Sequence, residues 1–279
     1  MIKFLMTKYR SSRFHNAENG RRLAKILYWA TRLTSSSMKI KKIGQVTFEL
    51  DLREIIDSSL YFASTFEQDV ENLFKKYVHE NNTVIDVGAN IGYHTLHSAE
   101  YVGGAGKVVA IEPNQWAINR LKRNLELNHQ IQERVQIIKV ALSDRDELAQ
   151  QMSFQASYKL SGKNTAISEI VDVRSLDSIC AEQDLTGINL IKIDVDGFEI
   201  KVLNGSLESL ARDHPTLIVE FTPSVFRQLG DEIQSVEQSL QSLGYSFFTV
   251  TEDPIKDLTS HLNQLQDGDS EMVLLRVLQ

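Results

Sequence analysis

From about residue 80 onward, short runs of β-branched and aliphatic residues alternate with segments whose apolar positions recur at helical spacing. The runs are Thr83–Val87, Lys107–Ile111, Val135–Val140, Leu190–Val195, Leu217–Phe221, Tyr245–Val250 and Met272–Val277. Helical periods fill most of the gaps, clearest over Trp116–Asn128 and Ile233–Leu243. This alternation predicts βα units wound around a parallel sheet, an α/β fold with seven main strands. Extra length separates the third and fourth runs. There Leu148–Phe154 and Ile167–Val173 flank a polar loop, which predicts an inserted or edge hairpin over residues 148–173. Upstream, a polar-start helix is expected around Glu67–Val78, preceded by a hairpin-like stretch ending in Val46–Leu52. The expected organisation is an extension over residues 1–50 and an α/β domain over residues 51–279.

Charge alters this picture at the N-terminal end. Residues 1–42 hold eleven Lys/Arg and one acidic residue, whereas the remainder holds 19 Lys/Arg against 36 acidic residues. An acidic body is a poor partner for duplex nucleic acid, whose phosphates need clustered cations. Within the basic segment, Leu23, Ile26, Leu27, Ala30 and Leu33 repeat at helical spacing, flanked by Arg21, Arg22, Lys25 and Arg32. Two readings fit: a helix docked on the domain or on a second copy of the chain, and a helix lying on an anionic membrane surface. No apolar stretch approaches the ~20 residues of a spanning helix, and the start lacks the apolar core of a secretory signal. The single cysteine, Cys180, excludes an internal disulfide and suits a reducing compartment. The expected location is the cytoplasm, with the basic helix as the part that would meet the inner face of a membrane.

Candidate chemistry begins at the first run. Thr83–Gly88 reads as a buried strand entering a glycine turn, with a helix beyond Ile91. In open α/β sheets ligands sit beyond the carboxyl ends of strands, where this turn lies. Gly88 and Gly92 supply positive φ or a surface without Cβ that a ligand can approach. With Asn90 between them, they place a helix N-terminus where free N–H groups meet a carboxylate such as that of a methionine moiety. Asp86, at the strand end, can meet an α-amino group directly or through water. Glu112 closes the second run 20 residues beyond Gly92, an offset that suits both hydroxyls of a ribose. The glycines are four apart rather than in the Gly-x-Gly-x-x-Gly turn that receives a pyrophosphate. That departure favours S-adenosylmethionine, which has no pyrophosphate, over a nicotinamide dinucleotide. Asp144, after the third run, is placed equally well to accept from an adenine amino group or to cap a turn. Trp116 is placed to cover an adenine or simply to pack, and Asn124 and Asn128 read as helix-end capping residues.

Asp86-Val87-Gly88-Ala89-Asn90-Ile91-Gly92, Val140-Ala141-Leu142-Ser143-Asp144, and Ile191-Lys192-Ile193-Asp194-Val195-Asp196-Gly197-Phe198-Glu199 with Leu203-Asn204-Gly205 together resemble the FkbM family of methyltransferases. The resemblance covers roughly residues 50–221, and its third block is the most specific part. It implies a class I methyltransferase fold, Rossmann-like and doubly wound on seven strands, with adenosylmethionine as donor. The acceptors it implies are hydroxyls of natural products or sugars. One departure is Asp196, where the family commonly has Glu. The charge is kept and the reach shortened, which bears on any metal or base role at that position.

The reacting end is expected at the fourth strand. A sulfonium methyl is already activated, so the protein must chiefly align the acceptor and exclude water. A hydroxyl also gains from losing its proton as it attacks. Asp194 is the candidate base or acceptor-positioning group. Lys192, two residues earlier and on the same side of the strand, either tunes it or forms a purely structural pair with it. His94, in the first turn after the glycine loop, is a second candidate base or else only a helix-start residue. Asp194 and Glu220, at adjacent strand ends, could also hold a divalent cation. No His/Cys cluster stands at ligand spacing, so no metal is expected. The expected partner is a small-molecule or glycan acceptor. An Asn/Asp-Pro-Pro-aromatic loop, common in amine methylation, is absent after the fourth strand. The competing readings are a cofactor-binding assembly module without turnover and a Rossmann oxidoreductase.

Overall fold

The computed structural model describes residues 37–157 and 165–278. The expected basic helix lies outside the described residues. The first elements are an antiparallel hairpin, β1 (Met38–Ile43) and β2 (Val46–Asp51), and two helices, α1 (Ile55–Ala63) and α2 (Gln68–Tyr77). The βα alternation follows: β3 (Thr83–Val87), α3 (Tyr93–Tyr101), β4 (Lys107–Ile111), α4 (Gln115–Glu126), the single turn α5 (His129–Gln132) and β5 (Val135–Ile138). The extra length forms β6 (Ala141–Leu142), β7 (Glu147–Ser157) and β8 (Thr165–Arg174). The second half holds α6 (Leu176–Glu182), β9 (Ile188–Ile193), α7 (Glu199–Asn204), α8 (Leu207–Asp213), β10 (Thr216–Phe221), α9 (Pro223–Leu229) and α10 (Ile233–Ser242). It ends with β11 (Tyr245–Thr249), β12 (Pro254–Ile255), α11 (Leu258–Leu262) and β13 (Glu271–Val277).

The main sheet runs β12-β11-β13-β10-β9-β3-β4-β5. Its seven long strands are those predicted, and β13 alone among them runs antiparallel to its neighbours. This is the doubly wound, Rossmann-like α/β sheet of the class I methyltransferases. Two-residue β12 adds an eighth strand at one edge, too short to leave a hydrophobic period. From β3 the chain moves outward through β4 to β5, then returns to place β9 on the other flank of β3. The crevice beyond the carboxyl ends of β3 and β9 is therefore the topological switch point, where such sheets bind ligands.

Both faces of the sheet are buried, which explains why its strands read as continuous apolar runs. One face, with Ile85, Val109, Ile191, Val219 and Leu275, packs against α6 to α11. The other, with Val84, Val108, Leu190, Ile218 and Leu274, packs against the β1–β2 hairpin and α1 to α5.

The third run is the one that breaks early. β5 ends at Ile138, and Ala141-Leu142 leave the main sheet to pair with β8. The predicted hairpin is real: β7 and β8 pair antiparallel over about ten residues and form a separate three-stranded sheet with β6.

Asn124 lies in the last turn of α4 and Asn128 at the N-cap position of α5, where its amide donates to Asn124 O at 2.7 Å but caps no N–H of α5. Asn114 caps α4 by accepting from the Trp116 N–H at 2.9 Å. Asn124 and Asn128 are buried and reach across to the backbone of β2. The Asn128 amide accepts from Thr47 N at 2.8 Å and donates to Thr47 O at 2.6 Å, while Asn124 accepts from Glu49 N at 2.9 Å. A side-chain amide presents a donor and an acceptor side by side, so it pairs with an open strand edge as another strand would. Asn128→Ala leaves a part-buried backbone pair without its side-chain partners and is expected to cost about 1–2 kcal/mol, read as a shift in urea midpoint at unchanged slope.

Candidate functional site

Strand periodicity assembles the site. Val84, Val108, Leu190 and Ile218 mark one face of the sheet, and a step of two along each strand places Asp86, Ala110, Lys192 and Glu220 on that same face. A further step reaches Asp194 and Glu112 just beyond their strands. Asp86 and Lys192 are direct partners in the β3–β9 register. The apolar face thus turns polar at its carboxyl edge, with Glu220, Asp194, Asp86 and Glu112 at the ends of four neighbouring strands.

Lys192 is buried at the centre of this row. Its Nζ lies 2.9 Å from Asp194 Oδ2 and 4.0 Å from Asp86 Oδ1. Burial alone would lower its pKa, but the charges of Asp194 and Asp86 outweigh burial and raise it, so Lys192 is a fixed cation. Burial would likewise raise the Asp194 carboxyl. The Lys192 ammonium and a hydrogen bond shared with Glu220 instead hold it below the ordinary range. Glu220 moves the other way: burial, then the neighbouring Asp194 charge, push it well above the ordinary carboxyl range. A hydrogen bond between two carboxyls needs one proton, and the opposite directions of the two shifts place it on Glu220. Ser270 Oγ donates to the other side of Glu220 at 2.7 Å. His94 is buried against Phe74, with ring centroids 4.9 Å apart, and its Nε2 lies 3.3 Å from Glu67 Oε2. A divalent cation between Asp194 and Glu220 would have to displace both the shared proton and the Lys192 contact. Among the described residues there is no cluster of three or more His, Cys, Asp or Glu side chains suited to a metal.

Asp86 accepts from Thr95 Oγ1 at 2.5 Å, while its Oδ1 is buried without a hydrogen-bond partner among the described residues. Glu112 is buried and accepts from Asn90 N at 2.9 Å and from Asn114 N at 3.0 Å. Burial pushes its carboxyl up to about 7 against those two bonds. The residues of the turn fit the amino-acid and ribose parts of adenosylmethionine. The spare Asp86 oxygen suits an ammonium, and each Glu112 oxygen keeps a lone pair for a hydroxyl.

The positive φ expected of the two glycines is present, and their missing Cβ makes room for the protein's own atoms. Both have positive φ, 77° at Gly88 and 89° at Gly92. A Cβ on Gly88 would lie 1.8 Å from the Asp194 carbonyl oxygen, and one on Gly92 would lie 2.3 Å from Leu121 Cδ1. The space they leave is filled by the protein itself, at the end of β9 and under α4. Asn90, at φ 49°, adopts the left-handed conformation that asparagine tolerates. Asp144 is exposed, 3.6 Å from Arg145, and accepts from Ser143 Oγ. Trp116 is half-buried beneath the Arg120 guanidinium.

One contributor was not singled out in the sequence. Glu199, fully buried at the start of α7, accepts from Val195 N and Gly197 N, both at 3.0 Å, and so clamps the loop that follows Asp194. Burial raises its carboxyl to about 7. An acidic residue at a helix start was the available signal, but such residues are common there for dipole reasons alone.

A family model described as the methyltransferase FkbM domain matches residues 86–247. The hexuronic acid methyltransferase AglP of Haloferax volcanii is 28% identical over 145 residues, 52% of this chain and 58% of that protein. The chain thus matches somewhat more than half the length of this relative. Among solved structures, the methyltransferase FkbM from Methylobacillus flagellatus KT aligns over 70% of this chain and 43% of its own, at 16% identity and a TM-score of 0.45. A SAM-dependent O-methyltransferase from Thermotoga maritima aligns over 86% and 78%, at 15% identity and a TM-score of 0.44. Since the family model spans more than half of the sequence and takes in the glycine turn, Glu112 and the whole Lys192-to-Glu199 block, the chain belongs to the FkbM methyltransferase family.

Proposed function

We propose that the protein transfers the methyl group of S-adenosylmethionine to a hydroxyl oxygen of a sugar or sugar-bearing small molecule. Family membership supports methyl transfer. The observation that carries the choice of oxygen is the Lys192–Asp194–Glu220 group at the end of β9, which offers an incoming hydroxyl an ionised acceptor. The cofactor supplies an activated methyl on a sulfonium. Asp86 receives its ammonium, Glu112 its ribose hydroxyls, and the α3 N-terminus faces its carboxylate. Asp194 accepts the hydrogen bond of the acceptor hydroxyl, aligns one oxygen lone pair, and takes the proton as the new bond forms. Lys192 keeps Asp194 ionised, and Glu220 fixes its orientation. His94, the second candidate base, stacks on Phe74 and pairs with Glu67. Calorimetry with adenosylmethionine, followed by release of S-adenosylhomocysteine on addition of glycosides, tests the assignment. Absence of binding heat would refute it.

Glu112 gives this site a pH signature. Its folded-state pKa of about 7 lies above the ordinary 4.5. Its contribution to the stability of the free protein is therefore fully present below about 4.5 and is lost as pH rises through 7. Ribose hydroxyls donate to the ionised form, so cofactor affinity should rise about tenfold between pH 6 and pH 8. Binding near pH 6.5 should release a proton, detected as a heat that varies with the ionisation enthalpy of the buffer. Glu112→Gln should abolish both effects.

A further inference from the structure

Asp194 stands one residue beyond the end of β9, where the ladder no longer fixes the chain. On the β3 side its backbone is held. Asp194 N donates to Val87 O at 3.1 Å, and its carbonyl oxygen occupies the space a Cβ on Gly88 would need. On the other side the chain turns sharply. Asp196 has φ 52° and Gly197 φ 105°, and a Cβ on Gly197 would lie 2.2 Å from Val225 Cγ1 on α9. This turn brings the N–H groups of Val195 and Gly197 to a single atom, Glu199 Oε1, at 3.0 Å from each. With β9 ending at Ile193, neither amide has a ladder partner, so the carboxyl of Glu199 does the work that the next strand does elsewhere.

Glu199 is itself anchored. It is fully buried, and Ile200, Val202 and Leu203 behind it lie in the core between the sheet and α6 to α11. Its second oxygen, Oε2, is buried without a hydrogen-bond partner among the described residues. A carboxyl kept in the interior with one oxygen unshared is costly, so the bonds made by the other oxygen are what the position provides. Those bonds reach the two amides that follow Asp194.

We infer that Glu199 is a positioning residue for methyl transfer: through the amides of Val195 and Gly197 it fixes the direction in which Asp194 presents its carboxylate. The inference rests on the role proposed for Asp194 and names what aims it. The loop requires an oxygen acceptor at this reach rather than a negative charge. Burial already holds the carboxyl at about 7, and the neutral acid keeps a carbonyl oxygen able to accept from both amides. Glutamine carries the same oxygen at the same reach. Aspartate is one methylene too short to serve both amides from this backbone position, and methionine fills the volume without an oxygen.

The test compares Glu199→Gln, Glu199→Asp and Glu199→Met in the full chain, with thermal unfolding to show that each is folded. Single-turnover rates use labelled adenosylmethionine with methyl glucopyranoside, methyl mannopyranoside and methyl galactopyranoside. Calorimetry gives cofactor affinity, and carbon NMR follows the titration of the Asp194 carboxyl. Glu199→Met and Glu199→Asp should lower the rate about tenfold to a hundredfold, the cost of roughly an ångström of misalignment. Cofactor affinity should not change. Asp194 should then titrate closer to the ordinary carboxyl range, because its contact with Lys192 loosens. Glu199→Gln should keep most of the parent's rate and the parent's Asp194 titration. In the parent alone, the Val195 and Gly197 amides should exchange with solvent far more slowly than unbonded amides.

Free exchange at those two amides overturns the inference, and that measurement needs neither a folded variant nor a reacting acceptor. So does a Glu199→Met variant with the parent's rate, or a Glu199→Gln variant no better than Glu199→Met. An equal loss of rate and cofactor affinity also overturns it, since damage to the whole turn would then replace the aim of Asp194. If no glycoside reacts, the Asp194 titration decides: movement in Glu199→Met but not in Glu199→Gln supports the clamp, and no movement overturns it. The same NMR pattern without any cofactor heat keeps Glu199 as the group that aims Asp194 and removes the methyl-transfer reading.

Discussion

Asp194→Asn is expected to lower turnover about a hundredfold or more while changing adenosylmethionine affinity less than twofold. The substitution keeps the size of the side chain and its contact with Lys192, but removes the oxygen that takes the acceptor's proton. Loss of a positioned base is worth about 10²–10⁴ in rate. The lower end applies here, because Lys192 and Glu220 hold Asp194 below the ordinary carboxyl range and make it a weak base. The same geometry fixes the pH behaviour. A carboxyl with a lowered pKa is ionised over the whole neutral range, so the acid limb of turnover should lie below the ordinary carboxyl range. Lys192→Met removes the cation that lowers it, and the acid limb should then move to higher pH. Single-turnover rates with labelled donor measure both effects. An Asp194→Asn variant as active as the parent would eliminate Asp194 from the proton path and leave its pairing with Lys192 a purely structural one.

How much of this was legible beforehand follows from the kind of signal each feature leaves. The seven long strands were readable because burial on both faces of a parallel sheet forces uninterrupted apolar runs, and the order of Asp86, Glu112 and Asp194 along them placed all three at carboxyl ends. The Lys192–Asp194 pair followed from a strand period of two. What periodicity could not supply was the relation between strands. Asp86 meets Lys192 because β9 inserts beside β3, and Glu220 shares a proton with Asp194 because β10 lies on the other side of β9. Asn124 and Asn128 do stand at helix ends, where asparagine is usually no more than a cap. Here their amides pair with the edge of β2 some 80 residues earlier, a contact between elements far apart in sequence.

Gly88→Ala is expected to destabilise the fold by about 3 kcal/mol or more, lowering the melting temperature by roughly 6–12 °C. Two terms add. The backbone at φ 77° disfavours any residue with a Cβ, and the added carbon would lie 1.8 Å from the carbonyl oxygen of Asp194. That oxygen belongs to the backbone at the end of β9, where Asp194 N donates to Val87 O at 3.1 Å, so it cannot move aside without parting β3 from β9. Gly92→Ala meets a Leu121 methyl at 2.3 Å, at the end of a side chain that can rotate, and should cost less despite a similar φ. Ranking the two by thermal unfolding in the absence of cofactor separates two reasons for a glycine in this turn. A residue kept small only to admit a ligand would leave the free protein's stability near that of the parent. Close approach of two strand ends predicts the larger loss at Gly88, together with a fall in turnover as Asp194 is pushed out of line. Equal melting temperatures for Gly88→Ala and the parent would show that the approach of β9 to the turn is looser than 1.8 Å implies, and the positioning of Asp194 by Gly88 would be withdrawn with it.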